Sequence, residues 1–173
     1  MNLKSLICYV VLGILLMGSG IVVSCDSFNE DLPECRLSVK FKYDYNMEIA
    51  DAYHAQVDKV EHYVFEKNGK YLLKQAEERS ALSTGNYLME VELPVGQYQF
   101  MAWAGARDSY DITPLTPGVS TITDLKLKLK REASLIINKK METLWYGEII
   151  GVNFTGTEHQ TETINLIRDT KIV

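Results

Sequence analysis

The chain has 173 residues, room for one ordinary domain with a leader or part of a second, and its 46% hydrophobic and 24% charged content is that of a globular protein. A formal net charge of −5, with no local cluster of lysine and arginine, excludes the basic footprint that nucleic-acid binding needs. Ten tyrosines against four prolines favour β-structure.

The chain opens with Lys4 and the nearly uncharged run LICYVVLGILLMGSGIVV, ending at Ser24-Cys25. A secretory signal has a positive start, an apolar core and a small residue before the cut, and Ser24 meets the last demand. The length of the run also permits a membrane-anchoring helix. Val22-Val23-Ser24-Cys25 resembles a bacterial lipobox, with valine in place of the usual leucine three positions before the cysteine. That resemblance implies a diacylglycerol thioether on Cys25, cleavage before it and acylation of the new amino group; several acyl chains hold a protein stably where one does not. Residues 1–24 are then a lipoprotein signal peptide, and Cys8 leaves with them.

Residues 25–35 form an acidic tether, with Asp26, Glu30, Asp31 and Glu34 and little to bury. The stretch resembles the acidic export address behind the lipidated cysteine of Bacteroidales surface lipoproteins. The lipobox reading leaves Cys35 without Cys25 as a disulfide partner, so it is expected either to pair with another chain or, as the blander reading, to be a buried thiol at the start of a strand.

From Arg36 the pattern becomes alternating. In RLSVKFKY, Leu37, Val39, Phe41 and Tyr43 share one face, as in a half-buried strand. YNMEIADAYHAQ breaks the alternation and is expected to hold a helical turn or a long loop. VDKVEHYVFEKNGKYLLKQA reads as a hairpin around a two-residue type I′ turn at Asn68-Gly69. NYLMEVEL and QYQFMAWAG, joined by Pro94-Val95-Gly96, read as a second hairpin, with Tyr98, Phe100, Ala102 and Ala104 inward. TITDLKLKLK reads as a further strand, with Leu125, Leu127 and Leu129 facing a core and the intervening lysines facing water. ASLIINKK, EIIGVNF and TETINLIRD supply three more candidates. About seven strands without intervening helices predict an all-β, antiparallel β-sandwich over residues 36–160.

The chemical inventory is thin. His54, His62 and His159 stand in no H-x-x-x-H arrangement, Asp108 and Asp111 supply too little oxygen for calcium, and no phosphate-binding or nucleophile-elbow motif occurs. Glu77-Glu78 reads as a solvated turn. No cofactor, metal or small-molecule substrate is implied, and the chain is not expected to be an enzyme. Trp103, Trp145 and Tyr146 could stack on sugars, so a surface glycan-binding lipoprotein is the alternative function.

The segments YDYNM, GQYQFMAWAG at 96–105 and LWYG at 144–147, in their order and spacing, resemble the FimB-type fimbrial subunits, anchor and minor components of type V fimbriae in Bacteroidales. The resemblance implies a transthyretin-like sandwich and a lipid-anchored, surface-exposed outer-membrane protein that holds fimbriae. It implies pairing with other fimbrial subunits by strand exchange, in which shaft subunits lose their first strand to cleavage after an arginine. An anchor that keeps its lipid would keep its first strand, here Arg36–Tyr43, and Arg36 is the only arginine between Cys25 and the end of that strand. Family members continue into a second sandwich, so this chain is expected to be the N-terminal half, with residues 161–173 leading into a missing domain.

Overall fold

The computed structural model describes residues 35–79, 81–130 and 141–169, which lie in one compact unit, Glu34–Val173. The described residues are all-β: ten strands, one short helix α1 (Tyr53–Gln56) and a turn of 3-10 helix at Ile122–Asp124. The strands are β1 (Leu37–Lys42), β2 (Lys59–Glu66), β3 (Tyr71–Glu78), β4 (Met89–Val91), β5 (Gly96–Ala104), β6 (Tyr110–Ile112), β7 (Leu127–Leu129), β8 (Trp145–Gly147), β9 (Ile150–Phe154) and β10 (Gln160–Arg168). Eight of them form one curled sheet in the order β3-β2-β5-β8-β10-β1-β4, with β9 on β5, while β6 and β7 pair apart.

Alternation is realised where the sheet has one buried face. In β1, Leu37, Val39 and Phe41 are buried and the residues between them half-buried; Tyr43 beyond the strand is buried too. In β5 the inward residues are Tyr98, Phe100, Ala102 and Ala104. These join Val60, Val64, Met89, Val91, Val152, Phe154, Ile164 and Leu166 in a single core enclosed by the curl. Helix α1 falls inside the segment expected to break the pattern, and contributes Tyr53 to that core.

Several expectations are corrected. β4 and β5 are not a hairpin: β4 pairs with β1, while the two edges of β5 are taken by β2 and by β8 and β9. Two alternating strands joined by a turn can face each other across a core as well as pair, and periodicity does not distinguish the cases. The Tyr98 hydroxyl donates to Pro94 O at 2.7 Å and braces the crossover. The sheet is mixed rather than antiparallel, because β1 and β10 run parallel from Leu37↔Gln160 to Lys42↔Asn165. β10 begins where the body was expected to end, and is a central strand of it.

The turn after β2 is not the two-residue type. Gly69 N donates to Glu66 O and Glu66 N to Lys70 O, so the loop is Lys67-Asn68-Gly69 with Gly69 left-handed at φ 84°. Asn68 Oδ1 accepts from Lys70 N instead of adopting positive φ. Glu77 and Glu78 lie in β3, not in a turn. TITDLKLKLK holds only the three-residue β7, preceded by the 3-10 turn; Leu125 is buried, Leu127 half-buried and Leu129 exposed. Its partner is the short β6, so nothing of the main core covers the far end of that leucine row. ASLIINKK lies outside the described residues.

Two glycines are required by close approach. A Cβ at Gly105, which has φ 74°, would stand 2.1 Å from Thr143 O and 2.9 Å from the Trp145 ring. Gly147 sits in β8, and a Cβ there would stand 2.4 Å from Ile164 Cγ2. Gly151 has no neighbour within 4 Å of such a Cβ. Gly105→Ala should therefore cost about 1–3 kcal/mol or more of unfolding free energy in urea titration, and Gly151→Ala much less. Equal midpoints for the two variants would refute this packing.

Candidate functional site

The residue expected to carry chemistry, Cys25, lies outside the described residues, as does the acidic run up to Glu34. Cys35 is exposed rather than buried, because it precedes the first paired residue of β1 and has not entered the sheet. Arg36 is exposed next to it, and its guanidinium contacts the Glu90 carboxylate of β4 at 3.1 Å.

The first strand is the most connected element at this end of the chain. β1 pairs with β10 over six residues and with β4 over three, so it fills a slot between two other strands. Leu37, Val39 and Phe41 close that slot from above at 1%, 0% and 1% exposure. Beneath Phe41 the rings form a stack: Tyr53 at 5.7 Å, His62 edge-on at 6.2 Å, and Phe100 against His62 at 4.7 Å. A strand with apolar residues at every second position, here β1 itself, is what fills this slot.

His62 is fully buried in that stack, which its neighbours Glu61 and Tyr63 did not betray. β2 is buried on both faces from Val60 to Phe65, so its sequence gives no clean alternation. Neither imidazole nitrogen has a full hydrogen-bond partner among the described residues. Burial pushes its pKa from 6.5 down to about 4, against weak opposition from the Gln75 amide across on β3.

The outer face of β2 carries a second arrangement that the sequence did not announce. The Glu61 carboxylate accepts from the Tyr63 hydroxyl at 2.9 Å and contacts Lys59 Nζ at 3.1 Å and Lys74 Nζ at 3.6 Å. Burial alone would raise its pKa; the Tyr63 hydroxyl and the Lys59 ammonium outweigh burial and hold it below the ordinary carboxylate value. These groups line a cavity of about 620 Å³ whose rim adds Arg107 and Tyr110. Arg107 is bound to Asp58 at 3.1 Å. Lys59 and Lys74 thus share the one Glu61 carboxylate in this hollow.

The three aromatics proposed as a sugar platform are not brought together on one surface. Trp145 is 3% exposed, packed edge-on against Tyr43 at 5.9 Å. Trp103 and Tyr146 are half-buried cross-strand neighbours with ring centroids 6.4 Å apart. His54 and His159 are exposed, and Asp111 pairs with Lys130 at 3.3 Å. Among the described residues no group of three His, Cys, Asp or Glu side chains could hold a metal ion.

A family model described as the fimbrillin-A associated anchor proteins Mfa1 and Mfa2 matches residues 32–173. Among curated proteins, the minor fimbrium anchoring subunit Mfa2 of Porphyromonas gingivalis is 28% identical over 133 residues, covering 73% of this chain and 40% of its own. A solved structure from Bacteroides thetaiotaomicron, described as a candidate polysaccharide-binding protein, is 90% identical with a TM-score of 0.76. This chain covers 48% of it, and the match spans 78% of this chain. A candidate adhesin from Bacteroides ovatus is 35% identical with a TM-score of 0.73, covering 84% of this chain and 50% of its own. The chain therefore spans half or less of the length of these relatives.

The titration of His62 has a defined sign. In the unfolded chain the imidazole takes up its proton near 6.5, in the folded chain only near 4. Between those values the unfolded state binds more protons, so the contribution is whole above pH 6.5 and lost as pH falls to 4. The loss should reach about 3 kcal/mol in unfolding free energy. His62→Leu should flatten that segment of the stability–pH curve; a parallel curve for the variant would disprove the buried neutral imidazole.

Proposed function

The chain belongs to the fimbrillin-A associated anchor protein family, and we propose that it is a fimbrial structural subunit of the anchor or minor type, held at the outer membrane by lipid on Cys25. The match over residues 32–173 carries this reading. On it, residues 1–24 are the signal peptide removed on export, and residues 25–35 a solvated tether between lipid and body. The body projects from the cell surface, its curled sheet being the transthyretin-like sandwich of the family. No catalytic step is required of it.

Assembly proceeds by strand complementation, for which the β1 slot is the supporting feature. A slot bounded by β10 and β4 offers main-chain hydrogen bonds on both sides and apolar pockets at alternate positions below. With β1 in place, held at its start by the Arg36–Glu90 contact, the slot is filled in cis. A subunit that retains this strand is a terminus of the fibre, able to hold a neighbour without accepting a strand itself. Cleavage after Arg36 would convert it into an acceptor.

Metabolic labelling with an alkyne fatty acid should mark the mature chain, and Cys25→Ala should abolish both the label and sedimentation with membranes. A deletion strain should shed fimbriae into the medium. Fimbriae that stay attached in the deletion strain would sink the anchoring role, and label persisting on the Cys25→Ala chain would sink the lipid site. Amino-terminal sequencing of the surface protein distinguishes a retained β1 from one cut after Arg36.

A further inference from the structure

The hollow beside Glu61 lies on the outer face of β2, away from the core that β1 helps to fill: Val60 and Val64 belong to that core, Tyr63 and Phe65 to a separate cluster. Its floor is Lys59, Glu61 and Tyr63 of β2 with Tyr71 and Lys74 of β3, and its wall is drawn from residues 106–115. That wall is anchored. Arg107 reaches the Asp58 carboxylate at 3.1 Å and Asp58 O at 3.3 Å, and the Tyr110 hydroxyl donates to Glu142 O at 2.9 Å. The volume of about 620 Å³ falls within the roughly 300–1,000 Å³ of small-molecule sites.

The charges on the floor do not balance. Glu61 Oε1 takes both ammoniums, Lys59 at 3.1 Å and Lys74 at 3.6 Å, while Oε2 accepts from the Tyr63 hydroxyl. One carboxylate against two ammoniums leaves a positive charge over, and each ammonium carries three N–H donors of which Glu61 engages one. Glu78 and Asp108, the other acids lining the hollow, are exposed to water, which screens them. Packing alone does not call for ions here. The same layer is otherwise apolar, with Ile112 and Leu115 against Tyr63, Phe65, Tyr71 and Leu125. Apolar residues of similar volume are often at least as stabilising as a buried ion pair. Charges fixed in a walled concavity, with an apolar side facing them, are the makings of a binding site.

We propose that this hollow binds a sugar monocarboxylate, a uronate unit. Its carboxylate sits on Lys59 and Lys74, a ring hydroxyl donates to the remaining lone pair of Glu61 Oε2, and the C–H face of the ring lies against Ile112 and Leu115. A single negative charge completes the floor. A dianion such as phosphate exceeds it and meets Glu78 and Asp108 besides. A bare carboxylate such as acetate leaves both the Glu61 oxygen and the apolar wall unused. The site is built without β1, the lipid or a neighbouring subunit, so it stands or falls apart from the anchoring role.

Saturation-transfer NMR on the full chain in detergent, with galacturonate as the probe, tests it. Galacturonate should give a saturable response, and galactose and methyl galacturonate ester should each bind about tenfold or more weakly, lacking the charge-assisted contact. Lys74→Met, at an exposed position, should keep the melting temperature and weaken galacturonate binding by about tenfold or more. Lys74→Arg should restore most of it, which a purely structural lysine would not require. Lys126→Met, an exposed lysine outside the hollow, should change neither quantity. No saturable response to galacturonate at tens of millimolar overturns the proposal. So do equal affinities for galactose and galacturonate, equal affinities for acetate and galacturonate, or unchanged binding in Lys74→Met.

Discussion

The structure depends on one strand being shared. β10 gives its first six residues to β1 and its last three to β8, so a single continuous backbone belongs to both arms of the sheet. Because its partners change along its length, the sheet must curl around it, and the two arms close on one core. Ile164 and Leu166, the fully buried residues of β10, lie at the changeover. The curl also brings the two outermost strands within side-chain reach: Gln75 Nε2 of β3 donates to Glu90 O of β4 at 3.0 Å. The two arms thus meet through a side chain rather than through a ladder, and the sheet stays open there.

Close approach inside this curl sets which residues are tolerated. Gly147 lets β8 lie against Ile164, and Gly105 lets the chain leave β5 beneath Trp145 and Thr143 O. The Phe41, His62 and Phe100 rings cross the space between the arms, and a neutral imidazole serves there as a flat filler with two nitrogens poorly satisfied. A polar ring in such a place makes the core sensitive to acid where an all-hydrocarbon core would not be.

What was legible in the sequence follows from these constraints. β1, β5, β9 and β10 were visible because each buries one face, and a two-residue period reports that directly. Partners were not visible. The period of β4 and β5 is the same whether they pair or face each other, and the parallel sense of β1 and β10 is set by contacts some 120 residues apart in sequence. Asn68-Gly69 announced a reversal but not its length, since Gly69 alone takes the positive φ. The leucine row after Thr123 overstated its own burial, because alternation says that a face is apolar, not that anything covers it. The β1 slot was implied only through family resemblance; its pairing with β10 and β4 needed coordinates.

The slot also sets what the proposed strand exchange would demand of such a fold. Leu37, Val39 and Phe41 are each essentially fully buried, and together they contribute roughly 5–9 kcal/mol of burial. That is comparable with the whole stability of an ordinary domain, about 5–15 kcal/mol. A body that lost β1 and received nothing would therefore sit near unfolding, with the hydrogen-bonding edges of β10 and β4 open. On the proposed strand exchange, departure of the native strand would have to be coupled to arrival of another with the same alternation, and an incoming strand one residue out of register would present its polar face to the core. The feature that folds β1 in cis is thus the feature that would select its replacement in trans. On the proposed reading, a subunit that kept β1 would keep that selectivity unused and its stability intact, as a terminal member of a fibre would require.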